Sequence, residues 1–348
     1  MEVIVPAAGL SSRFPGTKPK YLLADYKNDL MISNALFGGL LYNYKIHVGI
    51  LQEHDEKYNA SEYLKNEVHH DINIAVLQSR TLGPADTVYQ TIKQNNIDPN
   101  TPIFIKDCDS FFKYEHVEGS AIYSWNLDKT VFSGNVANKS FVTVDDDNYA
   151  TKIVEKKIAS NRICVGGYKF ESAQQFCDLF EQISKDHEIF VSEVVDLGIR
   201  QGHGFKTVDV ENYTDVGTLD DWLKFNNKPT IFCDIDGTIV HKQSRHGSDR
   251  FGTNPVILEH NVAHIKNLID QGCTVIFTTA RPKKYHDVTR RMLDRMGFQY
   301  CQLISGLNNS YRILINDFDT LNPYPSARCV NIPSNEDTLE KYTNDNSL

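Results

Sequence analysis

The stretch from Val3 to Leu23, VIVPAAGLSSRFPGTKPKYLL, constrains this chain more than any other. Val3, Ile4 and Val5 form a β-branched run too short for a helix and typical of a buried parallel strand. Pro6-Ala7-Ala8-Gly9 ends it. Gly9-Leu10-Ser11-Ser12 follows as a turn of small residues whose backbone N–H groups can approach phosphate oxygens closely. Arg13, Lys18 and Lys20 then bring cations to that turn, enough to hold a triphosphate and to stabilise charge on a leaving pyrophosphate. The pattern is not a P-loop, because G-x-x-x-x-G-K-[ST] is absent.

Strands alternate with helices downstream. Met31–Tyr44 has helical spacing, Ile46–Leu51 reads as a strand, His54–Asn66 as a helix and Ile72–Leu77 as a strand. That alternation predicts a parallel, doubly wound sheet with ligands beyond the carboxyl ends of its strands. Gly83-Pro84-Ala85-Asp86-Thr87 is a tight entry to a helix running to Gln94. Pro102–Ile105 is a further strand with Asp107-Cys108-Asp109 at its end, and carboxylates beside a triphosphate suit Mg2+. Val142–Val144 and Ala150–Val154 predict a hairpin around Asp145–Asn148, followed by Glu155-Lys156-Lys157 and by Ile163–Tyr168. Phe170–Ser184 is an amphipathic helix, and Tyr213–Trp222 carries Asp215-Val216-Gly217-Thr218.

The G-x-x-x-R…K arrangement resembles the signature loop of the sugar-phosphate nucleotidyltransferases, and the later segments follow that family's order over about residues 1–225. The resemblance implies that Ala8, Gly9, Ser11 and Ser12 cradle the nucleotide while Arg13 and Lys20 act on its phosphates. It implies that Gly83 and Ala85 read the base or the sugar, and that Glu155, Lys156 and Gly167 contact the sugar phosphate, with Lys157 the alternative to Lys156. It gives Mg2+ to Asp109 and Asp215, with Asp107 second to Asp109.

KFNNKP (224–229) is a short polar linker, after which the pattern restarts. Thr230–Cys233 is a strand, and Asp234-Ile235-Asp236-Gly237-Thr238 stands at its end. Two carboxylates two residues apart, followed by a flexible Gly, can address one phosphoryl group from different sides. D-x-D-G-T after an apolar strand resembles the haloacid dehalogenase superfamily of phosphatases. By that resemblance Asp234 would attack phosphorus and Asp236 would protonate the leaving oxygen. It also implies Mg2+ held by Asp234, Asp236 and Asp317. Ile257–Asp270 is a helix, Thr274–Phe277 a strand ending in TTARP (278–282), Tyr285–Met296 a helix, and Arg312–Asp319 the last strand. Thr279 is the phosphate-holding hydroxyl. The family's usual lysine is missing from GLNNSY (306–311), so Arg312, or else Lys283 or Lys284, supplies that cation. Neither gap between these motifs holds a cap domain. The loop His241–Asn254, with Arg245, His246 and Arg250, reads either as a flap over an anionic substrate or as a solvated loop. Ile276–Pro282 and Arg312–Asp317 are similar to small phosphatases associated with bacterial capsule genes.

Composition bounds the partners. A net charge of −9 argues against a large nucleic-acid surface. The seven cysteines are scattered without a C-x-x-C pair, as reduced core thiols are. No basic-then-apolar leader and no membrane-length apolar run is present, so a cytoplasmic protein is expected.

The expectation is therefore two Rossmann-like, doubly wound α/β domains, 1–225 with a mixed sheet and 229–334 as a capless parallel sheet, then a polar tail, 335–348, that frays. A bifunctional enzyme of bacterial surface-polysaccharide precursor synthesis is implied, taking an NTP and a sugar or polyol phosphate. CTP is slightly favoured over UTP and GTP, and a homo-oligomer is left open. A haloacid dehalogenase-like domain kept for binding or dimerisation, a glycosyltransferase-like first domain and a sugar-phosphate sensor stay open as alternatives.

Overall fold

The computed structural model describes residues 1–37, 43–68, 72–113, 115–128, 136–242, 251, 255–316 and 327–343. The chain divides into two compact units, Met1–Asn226 and Asn227–Leu348.

The first unit runs β1 (Glu2–Pro6), α1 (Met31–Phe37), β2 (Lys45–Leu51), α2 (Gln52–Tyr58), α3 (Ala60–Glu67), β3 (Ile72–Leu77), α4 (Pro84–Gln94), β4 (Ile103–Lys106), β5 (Ser110–Lys113) and β6 (Ser120–Asn126). It continues with β7 (Phe141–Val144), β8 (Ala150–Val154), β9 (Arg162–Phe170), α5 (Ala173–Glu181), α6 (Val191–Arg200), β10 (Phe205–Asp209), β11 (Glu211–Asp215) and α7 (Leu219–Asn226). The main sheet has the order β10-β6-β9-β4-β1-β2-β3, with the β7–β8 hairpin attached to β9. β1 pairs in parallel with β2 and β4, while β9 runs antiparallel to β4 and β6, so the sheet is mixed. Val3, Ile4 and Val5 are fully buried at its centre, as a β-branched run walled on both faces must be. One helix was expected over His54–Asn66. Two form instead, because Asn59 takes a left-handed conformation (φ 50°) that ends α2 and starts α3.

The position of the site follows from this sheet. β1 and β4 are neighbours, so the loops leaving their carboxyl ends emerge side by side. β11 pairs antiparallel with β5, setting Asp215 opposite Ser110 and therefore beside Asp109.

The second unit contains β12 (Thr230–Asp234), α8 (Glu259–Asp270), β13 (Thr274–Thr278), α9 (His286–Arg295), β14 (Gln302–Ile304) and α10 (Glu340–Thr343), with a parallel sheet ordered β12-β13-β14. Its core gathers Ile235, Ile239, Ile265, Phe277, Leu293 and Phe298. Two expectations fail here. The strand over Arg312–Asp319 is not formed: residues 311–316 have no regular structure and Ile315 is 88% exposed, while 317–319 lie outside the described residues. The apolar run has strand composition without a pairing partner, and pairing is what makes a strand. The tail does not fray at its start. Asn335 N–H donates to Gly237 C=O at 2.8 Å, and the buried Asn261 donates to both Thr238 C=O and Glu336 C=O at 2.8 Å. No described helix is long and apolar enough to cross a membrane.

Candidate functional site

In the first unit the loop after β1 is shaped by Ser11. Its φ of 52° turns the chain, its carbonyl accepts from Phe14 N–H at 2.8 Å, and its Oγ accepts from Lys20 N–H at 3.0 Å. Gly9 and Ser12 are exposed on the loop. The Ala8 methyl is buried against Leu51, Ala75 and Leu77, so any ligand contact there falls to the backbone.

Lys20 crosses to the β4 loop, where its Nζ donates to Asp109 Oδ2 at 2.5 Å. Val216 N–H donates to Asp109 C=O at 2.9 Å and Leu219 N–H to Arg13 C=O at 3.2 Å, joining three loops into one frame. Gly217 marks their meeting point. A Cβ there would stand 3.2 Å from both Asp109 Oδ2 and Asp215 Oδ1, and 3.7 Å from an Arg13 guanidinium nitrogen. Arg13, Lys20, Asp109 and Asp215 are thus brought together.

Two further lysines belong to this frame and were missed from the sequence. Lys139 Nζ lies 2.8 Å from Asp215 Oδ1, with side-chain exposures of 18% and 9%. Lys106 is fully buried and donates to Asp107 C=O at 2.8 Å and to Ser110 C=O and Oγ at 2.5 and 2.8 Å, bracing the loop that carries Asp109. Its ammonium rests 4.4 Å from the Phe112 ring centroid, and burial lowers its pKa to about 8. A lysine inside a strand pattern gives no periodic signal, and Lys139 sits in a stretch without one.

The electrostatics follow from the placement. Burial opposes ionisation of Asp109, but Lys20, Lys139 and Arg13 outweigh it and hold the carboxyl well below its ordinary range. Burial also opposes charge on Lys20, and Asp109 outweighs it. Asp107 behaves oppositely: burial and the neighbouring Asp109 push it up. Its carboxylate packs on Gly166, whose φ of +77° and lack of a Cβ make the approach possible, since a Cβ would fall 2.3 Å from Asp107 Oδ2.

Other expected contacts are not assembled here. Gly83 abuts Ile189 and Ala85 is fully buried with its N–H donated to Ile189 C=O at 3.1 Å, so Ala85 has neither side chain nor amide left to read a ligand. Gly167 is buried in β9 beneath Phe112 and Tyr123. Glu155 accepts from Ser140 Oγ and from Ser192 Oγ, the latter at 2.7 Å, and Lys156 lays its ammonium 4.2 Å from the Phe190 ring centroid. A separate cavity of about 240 Å3 opens between the loop after β1 and α2, lined by Leu10, Ser11, Phe14, Glu53, His54 and Lys57 among others.

As a Mg2+ site the first unit offers Asp109 and Asp215. Mg2+ takes one or two carboxylates and completes its shell with water and substrate phosphates, so these residues fit it. No group of three or more His, Cys, Asp or Glu able to hold a metal occurs among the described residues.

In the second unit Asp234 is exposed at the end of β12. Gly237 turns the chain with φ +95°, and a Cβ there would strike Ser334 Oγ at 2.5 Å. Asp236 is gripped by Arg281, whose Nε donates to Oδ2 at 2.8 Å and a terminal nitrogen to Oδ1 at 2.7 Å. That guanidinium is 3% exposed, bonded to Thr289 Oγ1 at 3.2 Å and stacked 5.2 Å from the Phe251 ring centroid. Both carboxylate oxygens of Asp236 thus accept from Arg281, one N–H each. Thr279 is 1% exposed, with its hydroxyl 3.5 Å from Asp236 Oδ2, inside the structure and not open to a phosphate. Arg312 donates to Asn308 and Ser310 carbonyls at 3.0 and 2.6 Å through one terminal nitrogen, and its charge favours ionisation of Asp234, which burial opposes. Asp317, and the flap residues Arg245, His246 and Arg250, lie outside the described residues. Of the three residues expected to hold Mg2+, Asp234 and Asp236 are described and Asp317 is not.

The first unit has the mixed-sheet fold of nucleotidyltransferases. Among solved structures it is similar to the nucleoside-diphosphate-sugar pyrophosphorylase of Vibrio cholerae RC9, at TM-score 0.55 and 18% identity over 65% of this chain and 100% of that one. It is similar also to the inositol-1-phosphate CTP transferase of T. maritima, at TM-score 0.53 and 16% identity over 65% and 96% of the two chains. Residues 231–306 match the haloacid dehalogenase-like hydrolase family. No curated protein matches the chain.

Proposed function

We propose that this protein is a bifunctional enzyme. The first unit transfers a nucleotidyl group from an NTP to a sugar or polyol phosphate, and the second removes a phosphate from a phosphorylated intermediate of the same route. The convergence of Arg13, Lys20, Asp109 and Asp215 about Gly217 is the observation that carries this reading.

In the transfer, an oxygen of the acceptor phosphate forms a bond to the α-phosphorus of the NTP, and the bond to the bridging oxygen breaks to release pyrophosphate. The nucleophile is already an anion, so no general base is required; placement and charge neutralisation do the rest. Lys20 and Arg13 take up the charge growing on pyrophosphate. Asp109 and Asp215 would hold Mg2+, which would supply further charge neutralisation between two like-charged reactants.

In the second unit Asp234 attacks the phosphorus of a phosphomonoester, forming an aspartyl-phosphate as the bond to the leaving alcohol breaks, and water then releases phosphate. In this reading Asp236 gives the alcohol its proton from an oxygen lone pair that the Arg281 fork leaves free, with Arg281 fixing its orientation.

Two finer points belong to the same reading. CTP is slightly favoured as the base, because phosphorylated polyols and acids in capsules are often activated that way in the family the chain resembles. The similarity of Ile276–Pro282 and Arg312–Asp317 to small phosphatases associated with bacterial capsule genes supports a place in bacterial surface-polysaccharide precursor synthesis.

The test is pyrophosphate release across four NTPs with hexose 1-phosphates and polyol phosphates, with Mg2+, for wild type and Lys20→Ala. One NTP giving a signal that falls by about 100-fold or more in the variant is the expected result. Phosphate release lost in Asp234→Asn is expected of the second unit. Silence of the wild type over the whole panel would remove the transferase reading.

A further inference from the structure

We infer that Lys139, and not Lys156, is the lysine that holds the acceptor phosphate in the first unit, and that the Glu155-Lys156 pair serves to position it. This rests on the nucleotidyl-transfer reading.

Lys156 is turned away from the frame built on Gly217. Its ammonium covers the Phe190 ring at 4.2 Å, in a backbone conformation with φ 52° that fixes the direction of its stem. Its N–H donates to Lys139 C=O at 3.1 Å. Glu155 accepts from Ser140 Oγ, the residue after Lys139, and from Ser192 Oγ of α6 at 2.7 Å. Cys164 N–H donates to Ser140 C=O at 2.8 Å. The pair thus grips residues 139 and 140 from two sides and ties them to α6, while β9 holds them from a third.

What is held in this way is a cation at the candidate site. Lys139 Nζ lies 2.8 Å from Asp215 Oδ1, and that carboxylate shares the Gly217 position with Asp109. When a divalent cation takes Asp215, the ammonium loses its partner beside the place where a second anion must arrive. Lys20 is already committed to the Asp109 side, so the two lysines divide between the leaving and the attacking phosphates. A flexible four-carbon stem with a compact charge can make that exchange. Lys139 moves no proton in the step; the acceptor oxygen bonds to the α-phosphorus and pyrophosphate leaves.

Steady-state pyrophosphate release in the full chain distinguishes the two lysines, with the NTP saturating and the acceptor varied. Lys139→Met is expected to lower kcat/KM for the acceptor by about 100-fold, with an increased acceptor KM, while Lys156→Met lowers it by about fivefold or less. Lys139→Arg keeps the charge and is expected to recover part of the loss, which separates the role from a folding defect. Mn2+ titrated alone and followed by electron paramagnetic resonance gives a readout without turnover. Removing the ammonium from Asp215 is expected to tighten Mn2+ binding in Lys139→Met and leave it unchanged in Lys156→Met. The reverse ranking of the lysines, or unaltered Mn2+ affinity in Lys139→Met, overturns the inference while the transferase reading stands. A wild type silent with every NTP and acceptor overturns that reading and takes the inference with it.

Discussion

The two candidate sites hold carboxylates against different cations. In the first unit Asp109 and Asp215 meet the ammonium groups of Lys20 and Lys139, compact charges on flexible stems. In the second, Asp236 meets a planar guanidinium through two parallel hydrogen bonds, with Thr289 and Phe251 keeping the fork in place. A lysine can swing aside for a metal ion or a phosphate. A buried fork cannot leave without stranding both partners in a dry environment. One site is built to exchange partners, the other to keep a single carboxylate still.

Replacing the fork by a point charge breaks that contrast, and it carries the largest expected effect. Arg281→Lys retains the charge but loses the bidentate geometry and the stacking on Phe251. It is expected to destabilise the second unit by about 2 kcal/mol and Arg281→Ala by about 3 kcal/mol, at the low end for a buried pair because Asp236 is 24% exposed. Urea unfolding of the full chain, read beside phosphate release, checks this. Equal stability of wild type and Arg281→Lys would mean that charge alone, and not the fork, holds Asp236.

The exchange site is sharpened by crowding its centre. Gly217→Ala places a methyl 3.2 Å from each carboxylate oxygen, a spacing the two side chains can relieve only by moving apart. The fold is expected to persist, while Mn2+ affinity falls by about tenfold as the two ligands lose their shared position. Unaltered affinity would show that Asp109 and Asp215 do not bind one ion together.

Much of this was legible in the sequence where one residue's neighbours decide its fate. The β-branched run Val3–Val5 announces a buried strand, and small residues after it announce a close approach. The likeness to nucleotidyltransferases and to haloacid dehalogenase-like hydrolases was likewise readable, because motif order survives where identity does not. What stayed hidden depends on contacts distant along the chain. Lys139 reaches Asp215 across 76 positions, and no local pattern marks it. Arg281 lay inside a recognised motif, yet its partner 45 positions away could be found only in three dimensions. Ala85 and Gly167 show the converse. Their motifs read as loop and strand contacts to a ligand, and how deeply each is buried became visible only in the fold.

The smallest expected effect concerns a carboxylate that binds neither phosphate nor metal. Helix α8 begins after Leu258, which has no side chain able to cap it. Asp337, from the C-terminal segment, does so in its place: Oδ1 accepts from Asn261 N–H at 2.8 Å and Oδ2 from His260 N–H at 3.1 Å. These bonds, with the His260 imidazole whose Nδ1 lies 2.9 Å from Oδ2, outweigh the opposing effect of burial and hold its pKa below the ordinary 3.8. A carboxyl depressed in the folded state stabilises it at any pH above the unfolded value, and that contribution fades as pH falls through the lower, folded value. Asp337→Ala is therefore expected to cost about 1 kcal/mol at pH 7, with the gap to wild type constant down to about pH 4 and closing below it. Paired urea titrations at pH 7, 4 and 2.5 read this directly. A gap unchanged at the lowest pH would assign the contribution to packing of the tail instead of to the charge, and would place this carboxylate outside the comparison between the two sites.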